Sequence, residues 1–187
     1  MDNTNLNEIT RFISFDMAHR LPNHCGRCSH IHGHTWKIGL TVEGTATAIG
    51  SSTGMVFDYK DLKNWLMDVV DSKFDHSLTL YYKDPLINDV VKMYGIEQDT
   101  FNKDVKWLDD VGDNELAVIS YCDEELSYGV RFNICNFIPT SENLASYFKY
   151  EFKQRFYSFV ENNPTFNNNL KVKSVELWET PNSRCIV

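Results

Sequence analysis

The stretch HGHTWKIGLTVE, residues 32–43, alternates from end to end. His32, His34, Trp36, Ile38, Leu40 and Val42 share one face of an extended chain, and Thr35, Lys37, Thr41 and Glu43 share the other. Side chains at i and i+2 of a strand point the same way, so a period of two predicts a half-buried β-strand. The segment RFISFDMAH, residues 11–19, repeats the pattern, with Ile13, Phe15, Met17 and His19 opposite Ser14 and Asp16. Each strand therefore carries an apolar face that ends in histidine. Residues 20–31 link them, with Pro22 and Gly26 as turn punctuation.

Working outward, Asp58 reads as the N-cap of a helix through about Phe74, with Leu62, Trp65, Leu66 and Val69 as its apolar stripe. Residues 75–80 leave that helix. Residues 117–121 and 130–137 read as a hairpin in a middle region of distinct composition. A second helix starts at Thr140, just after Pro139, and carries Leu144, Phe148, Phe152 and Phe156 on one side. Residues 170–179 read as a strand with Val175, Leu177 and Glu179 on one face. PNS is a turn and RCIV a short last strand. Strand, strand, helix, insertion, helix, strand, strand is an α+β order: an antiparallel four-stranded sheet with two helices on one face.

The chain has 187 residues and a formal net charge of -8. That length suits a single domain, residues 1–187, with an inserted segment at about 81–138. The charge is uneven: residues 81–138 hold twelve acidic and five basic side chains. Net negative charge disfavours a general nucleic-acid binder but not a small anionic ligand in a local basic pocket. No long apolar run predicts a membrane span, and the polar start MDNTNLNEITRF lacks the features of a signal peptide. Five cysteines without such a signal point to a reducing, cytoplasmic setting, with free thiols or metal ligands.

Residues 24–34, HCGRCSHIHGH, concentrate four of the six histidines and two of the five cysteines. His32 and His34 can bind one metal from a single strand, and His19 can supply a third nitrogen. Three neutral imidazoles suit zinc and leave its fourth position open, the catalytic pattern. The bland alternative is a polar strand start with histidines satisfied in the core. A second alternative makes Cys25 and Cys28 half of a structural zinc site with His24 or His30, but no second CxxC or HxxxH completes it. A third makes Cys28 a base, since a thiol near a bound cation is pushed toward thiolate. Cys28 sits four residues before His32, at the mouth of the site.

Five motifs in order, FDMAHRL, CSHIHGH, FDHSLTL, PTSENLA and LWETPNS, resemble the 6-pyruvoyl-tetrahydropterin synthase and 6-carboxytetrahydropterin synthase family. They frame the chain from about residue 12 to 187, apart from the middle region. The resemblance implies the tunnelling fold, in which subunits form a trimeric antiparallel barrel, trimers stack into hexamers, and active sites lie between subunits. It implies zinc on His19, His32 and His34, and Cys28 as general base. Asp75 and His76 become a proton relay, which an adjacent subunit can supply. Glu179 becomes the pterin anchor, since a carboxylate accepts from the adjacent ring N–H and amino donors of a pterin. Thr140 and Ser141 support the pterin or merely cap the helix. Three departures stand out: the long connection between DHSLTL and PTSEN, His30 where some branches carry Glu, and the RCIV ending.

The implied reaction is a zinc-dependent lyase step. It takes 7,8-dihydroneopterin triphosphate to 6-carboxy-5,6,7,8-tetrahydropterin, acetaldehyde and triphosphate, toward the 7-deazaguanine of queuosine-type nucleosides. Arg20, Arg27 and Lys37 are candidates for the triphosphate. One alternative is a 6-pyruvoyl-tetrahydropterin synthase that releases triphosphate only. The other, from a different class, is a noncatalytic zinc-stabilised binding module.

Overall fold

The computed structural model describes residues 6–46, 53–111, 115–123, 130–163 and 169–187. β1 (Asn7–His19) and β2 (His32–Gly44) pair antiparallel over their whole length, and His19 lies directly opposite His32. A 3-10 turn at Arg27–Ser29 interrupts the link between them. β6 (Lys171–Thr180) pairs with the other edge of β2, and β7 (Ser183–Ile186) with β6. A register shift at Thr41/Val42 lets both Val172 and Val175 turn inward.

The sheet has seven strands among the described residues, not four, and it is not antiparallel throughout. Residues 77–81, read from sequence only as a helix exit, form β3 (Ser77–Tyr81), which runs parallel to β1. β5 (Val130–Cys135) lies parallel to β3, and β4 (Val118–Asp123) closes the hairpin with β5. The order is β4-β5-β3-β1-β2-β6-β7. β3 alternates polar and apolar side chains, but both its faces are covered, so the polar ones are buried as well. Leu78 and Leu80 are buried on one side, Ser77 and Thr79 on the other.

The larger core joins Phe15, Met17, Trp36, Ile38, Leu40, Val175 and Leu177 to two helical segments. The first is α1 (Tyr59–Leu66), continued by a π-helical turn and the short α2 (Ser72–Phe74). Asp58 caps it by accepting from Lys60 N–H. The second is α5 (Ser141–Asn162). Trp36 is fully buried and stacks on Phe15. Each such ring contributes about 1.5–3 kcal/mol by leaving water.

The middle region also holds two helices that sequence alone did not reveal. α3 (Ile87–Met93) and α4 (Gln98–Val111) bury Ile87, Val90, Val91, Phe101 and Leu108 against Leu78, Leu80, Phe132 and Ile134. Residue alternation along β3 and β5 puts this second core on the sheet face opposite α1 and α5. The helices are therefore not confined to one face.

Candidate active site

His19, His32, His34 and Glu179 each offer one donor atom, and these atoms all lie within 4.8 Å of one another. The strands bring them together. Antiparallel register sets His19 opposite His32, the strand repeat puts His34 on the same face, and β6 contributes Glu179 from beside β2. His19 is fully buried and the other three are half-buried.

The ring tautomers are set by the partners. His19 Nδ1 lies 2.8 Å from the Pro139 carbonyl, and His32 Nδ1 lies 2.9 Å from the His30 carbonyl. A carbonyl only accepts, so each Nδ1 carries the proton and each Nε2 keeps a lone pair. Nε2 of His19 and of His34 are buried and make no aligned hydrogen bond, although Glu179 Oε1 is 3.3 Å and 3.5 Å away. Burial lowers the His34 pKa despite the opposing pull of Glu179, which favours neutral imidazole. The neighbouring His19 imidazole holds the Glu179 carboxyl below its ordinary range. Inward-facing, otherwise unbonded ring nitrogens beside a carboxylate are a donor set that fits a divalent metal.

No cysteine belongs to this cluster among the described residues. Cys28 is half-buried in the 3-10 turn, whose position is fixed by Leu21 N–H donating to the Cys28 carbonyl at 2.8 Å. Cys25 is exposed. His24 accepts from Gly26 N–H, and His30 acts through its carbonyl on His32.

Asp75 and His76 sit where α2 gives way to β3. Asp75 Oδ2 is 2.7 Å from His76 Nδ1, and Asp75 Oδ1 accepts from Asp16 N–H at 2.8 Å. His76 has φ 56, uncommon for a residue with a side chain, and its N–H donates to the Asp16 carbonyl at 2.7 Å. A cleft of about 550 Å³ is bordered by His34 and His76 together with Asp16, Thr35, Tyr94 and Arg131.

Thr140 is the N-cap of α5, accepting from Asn143 N–H at 3.3 Å, and Ser141 donates to Glu142. Two of the three candidate phosphate cations are engaged elsewhere. Arg20 pairs with the fully buried Asp84 carboxylate at 3.2 Å, and Lys37 Nζ lies over the rings of Phe12 and Trp178. Arg27 is exposed on the turn. Sequence reasoning missed three groups that shape the site: the Pro139 carbonyl, Asp16 and Arg131. Asp16 was legible only as an outward strand residue, and a backbone carbonyl leaves no side-chain signal.

Fold and cluster together define an α+β protein with three histidines and one carboxylate, a set that could hold a metal ion, on adjacent antiparallel strands. The model of the 6-pyruvoyl tetrahydropterin synthase family matches residues 8–187, and the chain belongs to that family. It is a tetrahydropterin-synthase-type lyase with the tunnelling fold. A 6-carboxy-5,6,7,8-tetrahydropterin synthase of Haemophilus influenzae is 26% identical over 178 residues, which are 95% of this chain and 96% of that protein. An uncharacterized protein from Wolinella succinogenes superimposes with TM-score 0.67 at 24% identity, covering 98% of each chain. The 6-pyruvoyl tetrahydropterin synthase of Caenorhabditis elegans gives TM-score 0.55 at 21% identity, over 100% of this chain and 98% of that one. Among the described residues no helix is long and apolar enough to cross a membrane.

Proposed function

We propose that the protein is a zinc-dependent lyase converting 7,8-dihydroneopterin triphosphate and water to 6-carboxy-5,6,7,8-tetrahydropterin, acetaldehyde and triphosphate. The observation that carries it is the cluster of His19, His32, His34 and Glu179, whose donor atoms all lie within 4.8 Å of one another. The name of the H. influenzae relative, aligned over 95% of this chain, supports the carboxy product. We assign the work to one domain with residues 81–138 inserted. We also infer a homo-oligomer with cytoplasmic location.

Bound zinc would polarise substrate oxygens and acidify the neighbouring carbon positions. His19, His32 and His34 would hold it, with Nδ1–H bonds to Pro139 and His30 fixing two of the rings. Glu179 stands at the same centre and can close the shell or turn to the donor edge of the pterin. Asp75 holds the His76 Nδ1 proton, so His76 presents Nε2 to the cleft as a proton acceptor. Cys28, on the turn leading into β2, is the second base. Thr140 and Ser141 follow Pro139 at the start of α5 and are assigned to the pterin, although Thr140 also makes a capping bond.

Product analysis tests this. Zinc-loaded protein incubated anaerobically with 7,8-dihydroneopterin triphosphate should yield acetaldehyde and 6-carboxytetrahydropterin by mass spectrometry. A 6-pyruvoyl product without acetaldehyde would replace the carboxy reading. No turnover by correctly loaded protein would favour a noncatalytic zinc-stabilised module.

A further inference from the structure

We propose that Arg131 is a positioning residue for the Asp75–His76 pair, acting from the strand before the second motif helix; this rests on the reading of His76 as a proton carrier. The last carbonyls of a helix have no partners within it and carry its negative dipole end. Here β5 supplies the donors. Arg131 Nη1 donates to the carbonyls of Asp71 (3.2 Å) and Asp75 (3.1 Å), and Asn133 Nδ2 donates to the carbonyl of Lys73 (3.1 Å). Three carbonyls between Asp71 and the extended cap Asp75 are thus tied to one neighbouring strand, that of Asp71 also accepting from Asp75 N–H.

The tie reaches the peptide unit that leads into His76, because the Asp75 carbonyl gripped by Arg131 belongs to it. His76 then turns into the left-handed region, which a residue with a side chain holds only where the surroundings enforce it. Its N–H is held by the Asp16 carbonyl from one side, and the peptide carbonyl is held by Arg131 from the other. The imidazole itself is 74% exposed, so packing on the ring does not orient it. Orientation comes from the Asp75 carboxylate, which is fixed by Asp16 N–H. Removing Arg131 leaves that peptide held by Asp16 alone, so it can tilt and carry the ring from the cleft that Arg131 and His76 both border.

The test is a double-mutant cycle on the zinc-loaded enzyme. Arg131→Met should lower kcat by roughly 10- to 100-fold, with KM changed less than about threefold and zinc content unaltered. In a His76→Ala background the same substitution should cost less than about twofold, because Arg131 acts through His76. Arg131→Lys, which keeps a cationic donor, should recover part of the loss. An equal loss in both backgrounds, or a rise in KM alone, would mean that Arg131 meets substrate directly and would overturn the proposal. Should Arg131→Met fail to fold by circular dichroism, Arg131→Lys runs through the same cycle with the same criteria. If the wild type turns over nothing, the lyase reading fails, and the His76 Nδ1–H resonance decides the positioning role by itself. Its presence in the wild type and loss in Arg131→Met sustains the role; persistence in both refutes it.

Discussion

His34 of the histidine centre and His76 of the Asp75–His76 turn border one cleft, but the centre and the turn are built by opposite means. The centre is a product of antiparallel pairing: His19 faces His32 in register, His34 comes two residues on, and two backbone carbonyls lock the rings. Its members are buried or half-buried. The turn sits at the junction of a helix with a parallel strand, its ring is 74% exposed, and its backbone is strained. Asp16, far earlier in the chain, and Arg131, far later, hold it. A metal site needs fixed donor separations, which a strand ladder provides at no extra cost. A proton carrier needs access, so its orientation must come from bonds behind it rather than from burial.

Breaking the first region should have the largest effect. His32→Ala removes one of three imidazoles; metal content by mass spectrometry should collapse, and turnover should fall about 10³-fold, several kcal/mol of lost polarisation. His76→Ala should keep its metal and lose about 10²-fold in kcat, measured at saturating substrate. Equal metal loss in both variants would erase the distinction between the two regions.

Stability probes sharpen the same contrast. Asn133 is fully buried and its amide NH2 shares two protons among Lys73 O, Ser77 Oγ and Thr79 Oγ1, stitching β5 to β3 and to the helix end. Asn133→Ala should cost about 1–3 kcal/mol in urea unfolding while metal stays bound, because it strands buried polar groups only in the parallel half. The smallest effect belongs to Glu43 at the far end of β2. Hydrogen bonds from Lys171, then Lys173, hold its carboxyl below the ordinary glutamate range. A depressed folded value gives stability that is present above the unfolded pKa and lost as pH falls through the folded one. Glu43→Gln should therefore flatten the acid limb of the melting-temperature profile, leaving metal content at neutral pH unchanged.

Legibility divides along the same line. β1, β2 and β6 bury one face of an alternating pattern against helices, so their period of two is visible. The cap at Asp58 and the start of α5 are equally local, each resting on a side chain that accepts from a nearby N–H. β3 alternates too, but over only five residues, too short a run to stand out from the helix end before it. Ile87, Val90 and Val91 carry helical spacing, but over seven residues it does not separate a helix from a buried strand. α4 buries only Phe101 and Leu108. Arg20 and Lys37 looked like phosphate ligands because a sequence does not show that Asp84 and two aromatic rings already occupy them.

By itself the sequence determined what short-range periodicity can encode: two long strands, the caps of two helices, and three histidines on one face of a strand pair. Only the tertiary structure decided that Glu179 joins those histidines, that the sheet continues through β3 and β5, and that Asp16 and Arg131 meet at the Asp75–His76 peptide. The physical reason is the range of the interactions. Alternation and capping act over a few residues, whereas a parallel pairing or a side chain gripping a distant carbonyl exists only once the chain has closed on itself.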